Sequence, residues 1–338
     1  MFSTISRFLE HRQVPIYLGS VALAVMVALS LSGTERFQHA ITPALALMLY
    51  VTFLQVPIAK IGQSLRDFRF LGALLTANFV VVPLLVAGLM LLAPADPLVR
   101  LGLLLVLLTP CIDYVVTFSH LGRANAHGLL AATPLLLVLQ MLLLPIYLRL
   151  LMGEAATKLV VPAPFLHAFL WLIAVPLLLA GLTQWLAAST PAFASVVRRL
   201  EVLPVPATAI VLFVVVAAVI PQLGQAREVV FRIAPLYVAF AVAAPVLGWA
   251  TAKMFRLQAA SGRAVAFSAG TRNSLVVLPL GLAIPGAMPI LPGVIVLQTL
   301  IELLAELAYV RLIARWGNGD RGSGSAARYR RGTGIGEG

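Results

Sequence analysis

Apolar runs long enough to cross a bilayer constrain this chain most, because lipid accepts backbone only as helices or as a closed barrel. Ten runs of roughly twenty residues lie at about 14–32, 41–59, 70–93, 101–119, 128–152, 165–187, 203–222, 233–254, 264–284 and 293–315. They are rich in Leu and Ala and lack the strict alternation of a barrel strand, so each is expected as a helix. With 61% of the residues hydrophobic and 11% charged, a soluble globular domain is excluded. The chain reads as an all-α polytopic membrane protein with ten transmembrane helices.

The net charge of +12 invites a nucleic-acid partner, but the basic residues sit in short loops and in the tail. The positive-inside rule explains them better. With the N-terminus inside, Arg7, Arg12, Lys60, Arg66, Arg69, Arg123, Arg198, Arg199, Lys253, Arg256, Arg263, Arg311 and Arg315 share one side with the basic tail. The opposite side holds only Arg36, Arg100, Arg149, Lys158, Arg227 and Arg232. This predicts a multi-pass plasma-membrane protein with both termini cytoplasmic and no nucleic-acid partner. Arg7 and Arg12 before Val14 resemble a signal peptide, but the run that follows is long for one and is taken as the first span.

The single cysteine, Cys111, excludes a disulfide framework and a Cys-rich zinc site. His11, His39, His120, His127 and His167 have no metal-ligand spacing, and the chain lacks HExxH, GxSxG and a Walker-type loop. Neither an enzyme nor an ATP-driven pump is expected, and no cofactor or metal.

Slid over itself by 162 residues, the sequence aligns without a gap. Gly19 falls on Gly181, Gly62-Gln63 on Gly224-Gln225, Pro83 on Pro245, Thr109 on Thr271, Tyr147 on Tyr309 and Arg149 on Arg311. Leu–Leu matches mean nothing in such a chain; matches of Gly, Gln, Pro, Tyr and Arg in one register mean more. Five helices per half make the second half enter the membrane the other way up, an inverted repeat of the kind secondary transporters use. The expected organisation is a first repeat over 14–160, a second, inverted repeat over 165–316, and a disordered cytoplasmic tail over 317–338.

Helices four and nine are expected to break. Thr109-Pro110-Cys111-Ile112-Asp113-Tyr114 interrupts an apolar run, and the offset overlays Thr109-Pro110-Cys111 on Thr271-Arg272-Asn273. Pro110 suits the first position of a restarted helix, and the Thr109 hydroxyl can cap its free N–H groups. Two interrupted helices at matching positions point to a solute site near the midplane.

Each site residue carries two readings. Cys111 is either a small packed side chain or, at a helix restart that favours thiolate, a ligand for thiophilic solutes. Asp113 is a capping carboxylate or counter-ion to Arg272, or else a proton carrier. Arg272 is a permanent charge at the midplane, serving as structural counter-ion to Asp113 or Glu302, as the occupant of a coupling-ion position, or as an attractor of anions. Gln140 overlays Glu302; both are helix-packing partners or site residues, with Thr109, Asn273 and Ser274 alongside. Glu306 lies one turn beyond Glu302, and Asn78 on the third span has lower weight.

At the Pro-Cys of the fourth helix, the Arg-Asn-Ser of the ninth and the ten-helix repeat, the sequence resembles the bile acid:sodium symporter superfamily, in particular its arsenical-resistance (arsenite efflux permease) branch. The likeness runs over nearly all of residues 14–315. It implies a core domain in which helices four and nine cross at their breaks, and a panel of helices 1, 2, 6 and 7. It implies that Cys111 matches the fourth-helix cysteine needed for arsenite transport. Sodium-coupled relatives carry a ninth-helix Glu-x-Gly-x-Gln-Asn pattern; here those places are Ser268, Gly270, Arg272 and Asn273. Losing a carboxylate and gaining a fixed cation removes one sodium site and favours proton coupling. The arsenite permeases place an acid soon after that Asn, where this chain has Ser274-Leu275-Val276; the offset pairs Leu275 with Asp113, so the acid is expected on the opposite helix.

The expected function is an alternating-access exporter of As(III) or Sb(III) hydroxide or oxyanion, exchanged for protons. In that reading Cys111, Thr109, Asn273, Ser274 and Gln140 meet solute, and Asp113, Arg272 and Glu302 serve coupling and electrostatics. The alternative is an organic-anion transporter, with Arg272 meeting the anionic group.

Overall fold

The computed structural model describes residues 2–55, 67–112, 114–153, 170–200, 202–223, 227–282, 284 and 290–317. Asp113, the Gly62-Gln63 and Gly224-Gln225 matches, His167 and the tail from residue 318 onward lie outside the described residues.

The helices are α1 (Phe2–Ser30), α2 (Gln38–Leu54), α3 (Phe68–Met90, with a π turn at Ala77–Val81), α4 (Pro97–Leu107), α5 (Tyr114–Leu121) and α6 (Ala126–Met152). Next come α7 (Val175–Ser189, entered through a π turn at Leu170–Ala174), α8 (Pro191–Leu200), α9 (Pro204–Leu223) and α10 (Arg227–Met254). The last are α11 (Ala259–Gly270), α12 (Ser274–Leu282) and α13 (Ile290–Leu312). The starts obey local chemistry. Asp96 accepts from the N–H groups of Leu98 and Val99 at 2.8 and 3.1 Å, with Pro97 in the first helical position. Asn125 caps α6 through the Gly128 N–H at 3.0 Å.

Among the described residues, seven helices are long and apolar enough to cross a membrane, and none of the secondary structure is strand. Three of the ten expected spans fall short of that length. The runs at 101–119 and 264–284 are each divided into two short helices, and the run at 165–187 lies partly outside the described residues. The amphipathic α8 falls in a stretch read from sequence as loop. It buries no residue; Phe193 and Val196 lie exposed on the same short helix as Arg198 and Arg199, as on a helix lying at a lipid–water boundary.

Two groups of helices pack separately. In one, α1 lies against α9, α2 against α9 and α7, and α7 against α8. In the other, α10 packs on α3, α11 and α13, while α13 also holds α4, α5 and α12. The groups meet where α9 touches α13 and α2 touches α12. Leu29, Leu84, Leu91, Leu142, Leu178, Trp185 and Val242 point outward as a lipid-facing surface. Arg263, 4% exposed, donates to the carbonyls of Arg123 and Trp316, tying the α5–α6 loop to the end of α13.

Candidate functional site

Both expected breaks are present, and they hold each other. Between α4 and α5, and between α11 and α12, short stretches leave the helical path and meet as an antiparallel bridge of Pro110 with Arg272. The Cys111 N–H donates to the Thr271 carbonyl at 3.1 Å, and the Asn273 N–H donates to the Thr109 carbonyl at 2.8 Å. A broken helix exposes backbone groups that lipid cannot solvate. Here each break answers part of the other's need, so the interruption survives at depth.

Local details differ from the sequence reading. α4 ends at Leu107 and α5 begins at Tyr114, so Pro110 lies in the extended stretch rather than at a first helical position. The Thr109 hydroxyl does not cap α5. It donates backward to the carbonyls of Leu105 and Val106 at 2.8 and 3.0 Å, where the helical ladder runs out at the end of α4 and Val106 also takes the Thr109 N–H at 3.2 Å. Thr271 does the same at the end of α11, reaching the Phe267 carbonyl at 2.7 Å. Cys111 is therefore not in the first turn of a helix; it is fully buried within the bridge.

Arg272 is the largest fully buried side chain among the described residues. Its guanidinium does not form an ion pair with Glu302: among the described residues the only pair within 4 Å joins Arg232 to Glu228 at the surface. Instead Nη2 donates to Asn78 Oδ1 at 2.8 Å, to the Ala269 carbonyl at 2.8 Å and to the Ser268 carbonyl, and Nη1 to the Leu107 carbonyl at 3.4 Å. The Phe240 ring lies 5.6 Å away, adding a cation–π contact. Asn78 sits in the π turn of α3 and also donates to Ser268 Oγ at 2.9 Å. A π turn re-aims one side chain within a helix, and here it aims an amide at the guanidinium. Asn78 carried lower weight among the expected site residues, since the π turn leaves no mark in composition.

Glu302 faces the break from α13. Its Oε2 accepts from the Arg272 backbone N–H at 2.7 Å and from Gln298, and its Oε1 accepts from the Tyr114 hydroxyl. Tyr114 joins the site from the first residue of α5; the sequence reading placed it at the end of the interruption but gave it no role, because its partner lies on α13, far away in the chain. Ser274 Oγ accepts from Thr299 at 2.8 Å. Asn273 and Gln140 are buried, and both polar atoms of each side chain lack a partner among the described residues. Buried amides without partners are uncommon and are a reason to look for function.

A cleft of about 1060 Å³ runs between the two helix groups and reaches Tyr114. Gln13 and Tyr17 of α1, Thr52 of α2, Gln184 of α7 and Thr208 of α9 line it. Among the described residues that line it, the basic ones are His120, His127 and Arg198, and none is Asp or Glu. Cys111, Thr109, Asn273, Ser274, Gln140, Arg272 and Glu302 are all outside that lining.

Helices of membrane-spanning length, two broken segments bridged in the interior and a polar cleft leading to them define a multi-pass membrane transporter. The chain belongs to the sodium bile acid symporter family, whose model matches residues 42–229, over half of its length. Members of that family are transporters, not enzymes. No curated protein sequence matches the chain.

Proposed function

We propose that the chain is a secondary active transporter of an organic anion, working by alternating access around the bridge between residues 109–111 and 271–273. The observation that carries this reading is the cleft. It has the volume of a site for a solute of drug-like size, holds no carboxylate among the described residues that line it, carries Arg198 and two histidines, and ends at Tyr114 beside the bridge. Among the described lining residues, an anion meets basic side chains and no acidic one. The positive-inside assignment makes the open end cytoplasmic, so this is an inward-open form.

Two further parts belong to the proposal. One is the inverted repeat. Its support is a set of bonds in the 162-residue register: Cys111 to Thr271 against Asn273 to Thr109, and Thr109 to Leu105 against Thr271 to Phe267. The other is coupling to protons rather than sodium. The guanidinium of Arg272 already sits among carbonyl and amide oxygens, where a second cation would be repelled.

One observation favours a second solute, arsenite or antimonite. The Cys111 thiol lies in the bridge itself, three residues from Tyr114 at the cleft, where a soft ligand would meet a thiophilic solute once the crossing opened. In that reading the orphaned amides of Asn273 and Gln140 complete the site. It stands second because the thiol does not line the cleft.

Proteoliposome uptake of a labelled bile acid, with imposed proton or sodium gradients, tests the first reading. Growth and arsenic accumulation in an arsenite-sensitive host test the second. Cys111→Ser should leave bile-acid uptake within about twofold while abolishing any arsenite resistance, since only the arsenite reading uses the thiol. No uptake of the bile acid, together with Cys111-dependent resistance, would reverse the order of the two.

A further inference from the structure

We infer that Glu306 is a proton-binding site, holding one proton as a neutral carboxylic acid and linked to the helix bridge through Thr271. The consequence for coupling rests on the transporter reading above; the proton itself does not.

Glu306 is fully buried on α13, one turn from Glu302. Hydrogen-bond counting separates the two acids. Glu302 faces three donors, Tyr114, Gln298 and the Arg272 N–H, as an ionised carboxylate requires. Glu306 has one partner, the Thr271 hydroxyl at Oε1, and its Oε2 has none among the described residues. Thr271 owns a single O–H, and the Phe267 carbonyl 2.7 Å away can only accept it. Both contacts are satisfied when Thr271 donates to Phe267 and Glu306 donates its own proton to Thr271 Oγ1.

Charge counting agrees. Arg272 and an ionised Glu302 cancel, and no cation lies within 4 Å of Glu306 among the described residues. A second carboxylate would be a buried, unpaired charge. The titratable groups that act on it directly are Glu302 and Tyr309 on α13; Arg272 and Tyr114 act on Glu302, Cys111 acts on Arg272, and Tyr237 of α10 lies by Glu302.

Losing that proton changes the bridge. The Thr271 O–H would turn from Phe267 to the new carboxylate, leaving the Phe267 carbonyl with the Thr271 backbone N–H alone at 3.0 Å. The carbonyl of the same Thr271 takes the Cys111 N–H, so the rearrangement is one residue's width from the contact that joins the two breaks.

Infrared pH-difference spectroscopy of the full chain in lipid, with no solute present, tests this. The wild type should show the carbonyl stretch of a protonated carboxylic acid at neutral pH. The band should vanish in Glu306→Gln, persist in Glu302→Gln, and move to higher frequency in Thr271→Val as its hydrogen bond is lost. If Glu306→Gln is not recovered folded, a shifted band in Glu306→Asp decides in its place. A wild type without the band, or a band unchanged in the Glu306 variant, overturns the inference. A failure of anion transport alone leaves it standing. In active proteoliposomes, Glu306→Gln should lose accumulation driven by a pH gradient but keep solute counterflow; retained pH-driven accumulation overturns the coupling role.

Discussion

The Tyr147 hydroxyl donates to the carbonyl of Phe79 at 2.6 Å. That carbonyl needs an outside donor because residue 83, which would supply the helical N–H, is proline. The second half repeats the device: Tyr309 donates to the carbonyl of Ala241, four residues before Pro245. Two pairs of residues matched in sequence thus carry one physical job, closing a helix gap opened by proline where lipid offers no water.

Removing that donor should leave a buried carbonyl unsatisfied. Tyr147→Phe is expected to destabilise the protein by about 1–3 kcal/mol, read as earlier thermal unfolding in detergent. Adding Pro83→Ala restores the N–H four residues after Phe79 and should recover much of the loss. No recovery would mean that tyrosine packing, rather than its hydroxyl, matters.

Gly248 allows α10 and α11 to touch. A Cβ there would meet the Ala269 Cβ at 2.6 Å, the Val265 carbonyl oxygen at 3.0 Å and the Ala266 Cα at 3.1 Å. Two of these are backbone atoms and cannot swing aside. Gly248→Ala should cost about 1–3 kcal/mol, again visible in thermal unfolding, and a variant as stable as the parent would show that the helices separate easily.

Arg272 makes a prediction about ions. The wild type should unfold at the same temperature in sodium and potassium at equal ionic strength, because its cation is covalently attached. The double variant Ser268→Glu/Arg272→Gln restores the carboxylate and amide pattern of the sodium-coupled relatives. It should gain about 2.7 kcal/mol when sodium is 100-fold above its dissociation constant. Equal curves for the double variant would remove the link between Arg272 and sodium independence.

Burial of Cys111 makes it a reporter of the crossing. A maleimide should modify it at least about 100-fold more slowly in the folded protein than in denaturant, an opening cost of about 2.8 kcal/mol. A transported solute that opens the bridge should raise the rate. Rapid labelling in the resting protein would mean that the thiol is reachable from the cleft, and would move arsenite to first place.

Much of this protein was legible in the order of its residues. Helical class, membrane placement and both interruptions follow from apolar run length and from Thr109-Pro110 and Gly270-Thr271-Arg272, since these are local rules about which residues continue a helix. The equal spacing of Tyr147 from Pro83 and of Tyr309 from Pro245, which the two tyrosine bonds use, also lay in sequence. Partnership did not. That Arg272 turns to Asn78 and to carbonyl oxygens rather than to an acid, that Tyr114 rather than a cation meets Glu302, and that Glu306 shares one hydroxyl with Phe267 depend on helices far apart in the chain. A buried polar group takes whichever partner packing brings within 3 Å, and only the tertiary structure decides which that is.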